Sequence, residues 1–443
     1  MLTNKVMEGR VLGMILAGVA AMATSGVQAQ GLGNSPYSRI GLGEFNGNTG
    51  GVRQMGMGGT GLAAPNSVNV NDLNPALLYY TSRTTFEAGY TGQYKTIKNA
   101  SASSRSGNGT LGYFALSVPL ASRWAGAVGL KPLSAVEYES NILQDVAGES
   151  GSQSLKQYKG TGGVSEAYFG QGVRIAKGFT VGLTASYLFG TVDETVGTTV
   201  QIVNSPSALI KSVDRQHTRY SDFAFRAGAH YRQKVAKSLS LNMGGVYSFG
   251  HTLRGQQSNT QEREDAASGT LVGPAIVVND GRGSTYVPGL AQLGLSLDND
   301  KSWSLNLDVA RQEWSKFSSF NSTGPALSNT MRVGLGGEIS PDPGSVEHYF
   351  QRVTYRAGIS VGQLPYQPGG KTLYDRAVSW GFAFPMPTAS ALESTTLSLG
   401  FTYGQRGNTD VLSSGASNVQ ESYIRGQLGV TLNNRWFIKR RLQ

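Results

Sequence analysis

The sequence predicts an all-β protein, a membrane-spanning barrel of about fourteen antiparallel strands. Three observations carry this. From about Thr84 onward, apolar and polar residues alternate with a period of two in one segment after another. Such alternation marks a strand with one apolar and one polar face. The segments add up to an even number, as closed single-chain membrane barrels require. The spacers are long and polar after odd segments, such as 139–163, 199–215 and 255–283, and mostly tight after even ones.

The segments fall at about 84–96, 109–120, 123–138, 164–176, 179–198, 216–231, 239–254, 284–298, 302–317, 329–339, 350–362, 374–386, 393–405 and 421–437. In the first, Phe86, Ala88, Tyr90 and Tyr94 oppose Glu87, Thr91, Gln93 and Lys95. The third sets Trp124, Val128 and Leu130 against Arg123, Ala127 and Lys131. Tight connections such as Ala176-Lys177-Gly178-Phe179 read as periplasmic turns and the longer ones as outer loops. The connection 340–349 is longer than the pattern asks. Aromatic residues recur near strand ends (Trp124, Tyr187, Trp303, Trp314, Trp380, Trp436), where interfacial girdles sit.

Composition agrees. Glycine numbers 60 of 443 residues, about twice its usual share of about 7%. Charged residues reach only 15%. The glycines have no three-residue period, which excludes collagen, and apolar residues run throughout, which argues against disorder. Residues 1–29 read as a secretory signal peptide: Lys5 and Arg10, an apolar stretch from Val11 to Val27, and small residues at −3 and −1 before Gln30. No other apolar run approaches 18 residues, so no spanning helix is expected. There is no cysteine, hence no disulfide framework or thiolate metal site. Export, few charges and no staples together point to the bacterial outer membrane.

Net charge is +10, but the bases are scattered apart from the tail 439–443, with Lys439-Arg440-Arg441. That distribution argues against nucleic acid. Gly56-x-Gly58-x-x-Gly61 matches a dinucleotide fingerprint in letters only. No buried strand precedes it, and Pro65 stops a helix soon after. The glycine-rich stretch before Thr84 is either a loose tail or a plug.

Gly56-Met57-Gly58-Gly59-Thr60-Gly61, Asn74-Pro75-Ala76 and Asn34 to Arg39 resemble the FadL/TodX family of outer-membrane channels. Asp308 to Phe317, Arg356-Ala357-Gly358 with Pro365-Tyr366, and Ser379 to Pro385 look like family strands. The resemblance implies a hatch at 30–82 inside a fourteen-stranded barrel at 83–438. It further implies passive uptake of long-chain fatty acids or other hydrophobic compounds, with release into outer-membrane lipid beside a kinked third strand. Pro132 fits such a kink, since proline cannot donate to a ladder; a bulge near the rim is the alternative, and the third-strand position favours the gap. Asn74, Pro75, Ala76, Lys131 and Pro132 are the expected gating or substrate-binding residues.

No enzyme is legible. The four histidines are dispersed, and no nucleophile elbow is present. Glu262, Glu264 and Asp265 form an acidic cluster better read as solvated loop than as a calcium site. No cofactor and no metal are expected. Alternation turns Lys131, Arg174, Asp222, Arg226, His230, Asp308, Arg332, Glu338, Arg356 and Arg425 into the lumen, most as ion pairs bracing the wall. Lys131 is the candidate receptor for a substrate carboxylate. Two rival readings remain: an accessory barrel that binds exported proteins in type IX secretion, and a purely structural barrel.

Overall fold

Strands form where alternation predicts them, and in the computed structural model they close on themselves. The described residues are 33–45, 50–148, 151–201, 210–320, 326–388, 393–412 and 417–434. The expected signal peptide, Trp436 and the basic tail lie outside them. Among the described residues the wall has fourteen strands. β1 is Thr84–Lys98, β2 Ser103–Ala121, β3 Trp124–Asp145, β4 Gln153–Ala176, β5 Phe179–Gln201 and β6 Ile210–Ala236. β7 runs as Leu239–Ser248 and His251–Asp265, and β8 as Ile276–Val287 and Leu290–Asp298. Both halves of β7 pair with β6, and the halves of β8 pair in turn with those of β7. β9 is Trp303–Gln312, β10 Thr330–Ile339, β11 Thr354–Gln363, β12 Tyr374–Met386, β13 Ser394–Gly407 and β14 Gln420–Asn434. β14 pairs with β1 from Gln420↔Lys98 to Asn434↔Thr84, which closes the barrel.

The two faces are inverted relative to a soluble sheet. Tyr90, Phe169, Leu183, Phe225, Leu293, Ile359 and Val378 are exposed, whereas Glu87, Lys95, Glu166, Asn242 and Arg356 are buried. An apolar outer belt around a polar interior suits lipid outside, and closure leaves no backbone edge in the hydrocarbon. This is an outer-membrane barrel. No described helix is long and apolar enough to cross a membrane.

Several details differ from expectation. The long polar spacers are largely strand: β3 to β6 run 22, 24, 23 and 27 residues, where about 9–11 suffice to span. Their outer halves, with those of β7 and β8, project beyond the barrel. They stay sheet because their inward faces share an apolar core of Val136, Tyr138, Val164, Leu188, Val192, Tyr220, Leu253 and Val287, capped by Leu42. β9 stops at Gln312; Trp314 then turns inward and is buried with Phe317 and Leu327, so it is no girdle residue. β11 starts only at Thr354, after a helical turn at Tyr349–Arg352. In the acidic cluster, Arg215 holds Glu262 at 2.7 Å and Glu264 at 2.8 Å, which supplies the positive charge without an ion.

Candidate functional site in the barrel lumen

Residues 50–82 lie against the inner wall, and the glycine motif explains how. After one helical turn at Val52–Met55, Gly58 (φ +70°) and Gly59 (φ +72°) take the left-handed conformation that a side chain resists. The chain can then lie flat on the wall, where glycines receive it. A Cβ on Gly336 would stand 2.1 Å from the Met57 carbonyl oxygen, and one on Gly358 2.2 Å from its carbonyl carbon. Backbone meets backbone here, so the glycines serve packing and not a phosphate.

Charged wall residues fasten the same segment. Gly61 and Leu62 donate their N–H groups to Asp308 Oδ2 at 2.8 and 2.9 Å. Arg332 donates to the Gly58 carbonyl at 2.6 Å, and Arg226 to the Asp72 carbonyl at 2.8 Å. Arg53 and Arg356 share Glu338, at 2.6 and 3.1 Å. Lys131 reaches Asp72 Oδ2 at 2.5 Å and stands 3.9 Å from Glu166. Burial would raise the Asp72 carboxyl, but Lys131 beside it more than offsets this and holds it below the usual range. Lys131–Asp72 and Arg53–Glu338 thus tie the wall to the N-terminal segment, whereas Arg356–Glu338 and Lys131–Glu166 join one wall strand to the next. Arg425, donating to Gln93 at 2.7 Å, does brace the wall. Arg174 sits over the Tyr79 ring, His230 meets Tyr80, and Asp222 takes Arg254 on the projecting sheet.

Asn74-Pro75-Ala76 forms the second fastening. Asn74 is fully buried. Its amide donates to the carbonyls of Leu62 and Ala229, and its oxygen accepts from the Ala76 N–H. Pro75 opens a 3-10 turn there, a position that needs no N–H donor. Asn74→Ala strips three hydrogen bonds and leaves buried partners unmet, each at about 1–3 kcal/mol. The expected result is faster proteolysis within residues 50–82 while the barrel stays heat-modifiable on gels.

The third strand does part from its neighbour. β2 and β3 pair from Ala121↔Trp124 to Phe114↔Leu130, and no further. Lys131 and Pro132 follow at once, with a register shift between Pro132 and Ser134 on the β4 side. Beyond that point β3 remains paired with β4, and β2 with β1. Residues 33–45 fill the parting as a strap. Asn34 N–H donates to Ser106 of β2 at 2.8 Å, and Ser35 N–H to the Glu137 carbonyl of β3 at 2.8 Å. Glu44 and Phe45 pair with Ala135 and Ser134. Across the lumen, Glu44 meets Arg406 at 2.9 Å. Its burial favours protonation, but Arg406 and Lys95 keep its pKa depressed.

Between the strap and residues 55–59 lies a cavity of about 290 Å³. Ile40, Phe45, Met55, Trp314, Phe317 and Leu327 make it apolar on one side; Arg332, Arg406 and Arg425 bring charge to the other.

Periodicity missed several participants. Glu166 shares parity with Arg174, and Lys95 with Glu87, so the alternation alone could have found both. Arg53, Asp72 and Glu44 stand in an aperiodic segment and carry no such signal.

The family model described as BamG matches residues 12–443. The chain belongs to the BamG family. Solved structures with the same fold as this BamG-family chain include the CymD monoaromatic hydrocarbon channel. It shows 15% identity over 89% of this chain and 100% of that one, with a TM-score of 0.54. A Pseudomonas aeruginosa FadL homologue shows 14% identity over 89% and 99%, TM-score 0.56. The Pseudomonas putida toluene transporter TodX shows 16% over 87% and 98%, TM-score 0.53. At such identities the likeness establishes the barrel expected from the FadL/TodX resemblance. No curated protein sequence matches the chain.

Proposed function

We propose that this BamG-family barrel is a passive outer-membrane channel for hydrophobic or amphipathic compounds of the long-chain fatty acid kind. The observation that carries the reading is the parting of β2 and β3 at Lys131-Pro132, beside a lumen cavity with an apolar and a cationic side. An amphiphile would place its chain against Trp314 and Phe317, with its head near Arg332. Transfer of apolar surface out of water drives entry, at about 25 cal/mol per Å². No cofactor or nucleotide enters this scheme, and no catalytic residue is assigned. Exit requires the strap to leave the parted wall; Lys131 is released for a carboxylate only when Asp72 moves away.

The chain has no cysteine, so one engineered pair can lock the strap. Asn34→Cys with Ser106→Cys joins two residues already in hydrogen-bond contact. Uptake of a fluorescent long-chain fatty acid should fall at least tenfold in the oxidised pair and return on reduction; Pro132→Ala should lower it too. Uptake indifferent to the presence of the protein, at verified surface levels, sinks the reading.

A second reading, an accessory barrel for exported proteins in type IX secretion, draws on the projecting sheet. There Leu271, Ile276, Val277 and Val278 are exposed outside the lipid belt, and an apolar run at a strand edge invites pairing with another chain. Specific co-purification with exported cargo, lost on Val277→Lys, would favour it over transport.

A further inference from the structure

At the short-turn end the lumen widens into a second space, a vestibule of about 620 Å³ between the plug loop Pro65–Asn69 and the wall. Its lining holds five cationic side chains, Arg53, Arg232, Lys301, Arg352 and Arg356, against three carboxylates, Asp298, Asp300 and Glu338. The carboxylates are taken: Arg232 bonds both aspartates, and Arg53 and Arg356 divide Glu338. Two positive charges are left over. Among the described residues, Arg356 Nη1 and Arg352 Nε are buried without a hydrogen-bond partner. The Arg356 side chain is only 3% exposed. A buried guanidinium N–H left unpaired is costly, and a charged acceptor satisfies it best.

Arg352 is set for this task by its neighbours. It ends the helical turn Tyr349–Arg352, with its guanidinium 5.2 Å from the Tyr349 ring centroid. It forms no ion pair with any described carboxylate. Ser340, Thr354 and Thr396 add hydroxyl groups to the same lining, and Val68 and Trp303 an apolar flank.

We infer that this periplasmic vestibule is an oxyanion-binding site, in which Arg352 and Arg356 receive a carboxylate or phosphate group. Arg53 belongs to the N-terminal segment and the other two arginines to the wall. An anion seated here therefore adds to the Glu338 link between plug and barrel and stabilises the docked plug. The site is independent of the transport reading; it lies at the opposite end of the plug from the strap cavity.

The test uses the mature barrel in nonionic detergent, titrated calorimetrically with inorganic phosphate, sodium octanoate and a short-chain phosphatidylglycerol. Saturable binding is expected for at least one of them, weakened tenfold or more by Arg352→Gln and by Arg356→Lys. The second variant keeps the charge beside Glu338 and loses only the fork. The tightest of the three ligands names the source: a free anion, an amphiphile's carboxylate or a lipid head group. Bound ligand should also slow proteolysis of residues 50–82. No saturation by any of the three means the arginines hold water only and overturns the inference. So does saturation that ignores both variants.

Discussion

Gly336→Val is expected to turn a closed barrel into a conducting one. The first atom of the new side chain would stand 2.1 Å from the Met57 carbonyl oxygen, and both partners are backbone. Neither can rotate aside, so the segment around Met57 must move by more than an ångström or leave. Overpacking of this kind costs about 1–3 kcal/mol. Here the displaced segment also loses the Arg332 fastening at the next residue, Gly58, and the Asp308 fastening at Gly61. In planar bilayers the unaltered protein should show little conductance and Gly336→Val a steady open level. Gly92→Ala is the control, because a Cβ there meets nothing within 4 Å. A folded, heat-modifiable Gly336→Val barrel that stays silent would show that the plug does not seal the lumen.

Lys131→Met is expected to loosen the N-terminal segment at Asp72. Methionine keeps most of the volume but strands the Asp72 carboxylate, with Glu166 close by. Arg226 remains near Glu166 at 3.5 Å and still holds the Asp72 carbonyl, so the loss is partial. Removing one member of a buried pair costs about 3–5 kcal/mol, mostly as the penalty on the charge left behind. Adding Asp72→Asn removes that charge and should restore much of the stability. The double-mutant cycle isolates the coupling, read as the denaturant midpoint for protease access to residues 50–82. Equal, additive losses in the two single variants would mean that the pair is ornamental. Lys131 stands where the β2–β3 pairing ends, so the same variant should also raise labelling of a cysteine placed at Ser134.

The barrel was legible because the physics that makes it is local and periodic. A strand with lipid on one side and a wet lumen on the other must alternate, and fourteen such segments can be counted without any tertiary knowledge. Parity also turned Asp308, Arg332, Arg356 and Glu338 inward. The tips of β3 to β8 were misread as loops for a related reason. Outside the lipid a strand needs no apolar outer face, so 139–145 or 255–265 look polar, and only their ladders with 153–159 and 210–220 make them sheet.

What those inward charges hold had no local signature. The partners of Lys131, Glu338 and Arg406 are Asp72, Arg53 and Glu44, set in an aperiodic stretch whose path is decided by where backbone can touch backbone. Glycines at Gly58 and Gly59 announce a chain able to bend; that Met57 beside them lies on Gly336 and Gly358 is a matter of contacts between residues far apart in sequence. The end of the β2–β3 ladder is likewise half written in Pro132, which withholds a donor, while the strap that fills the parting is a tertiary event. The sequence by itself determined the wall, since alternation follows from the solvent on each face. Only the tertiary structure decided what fills that wall and where it is parted, because those contacts join segments that share no period.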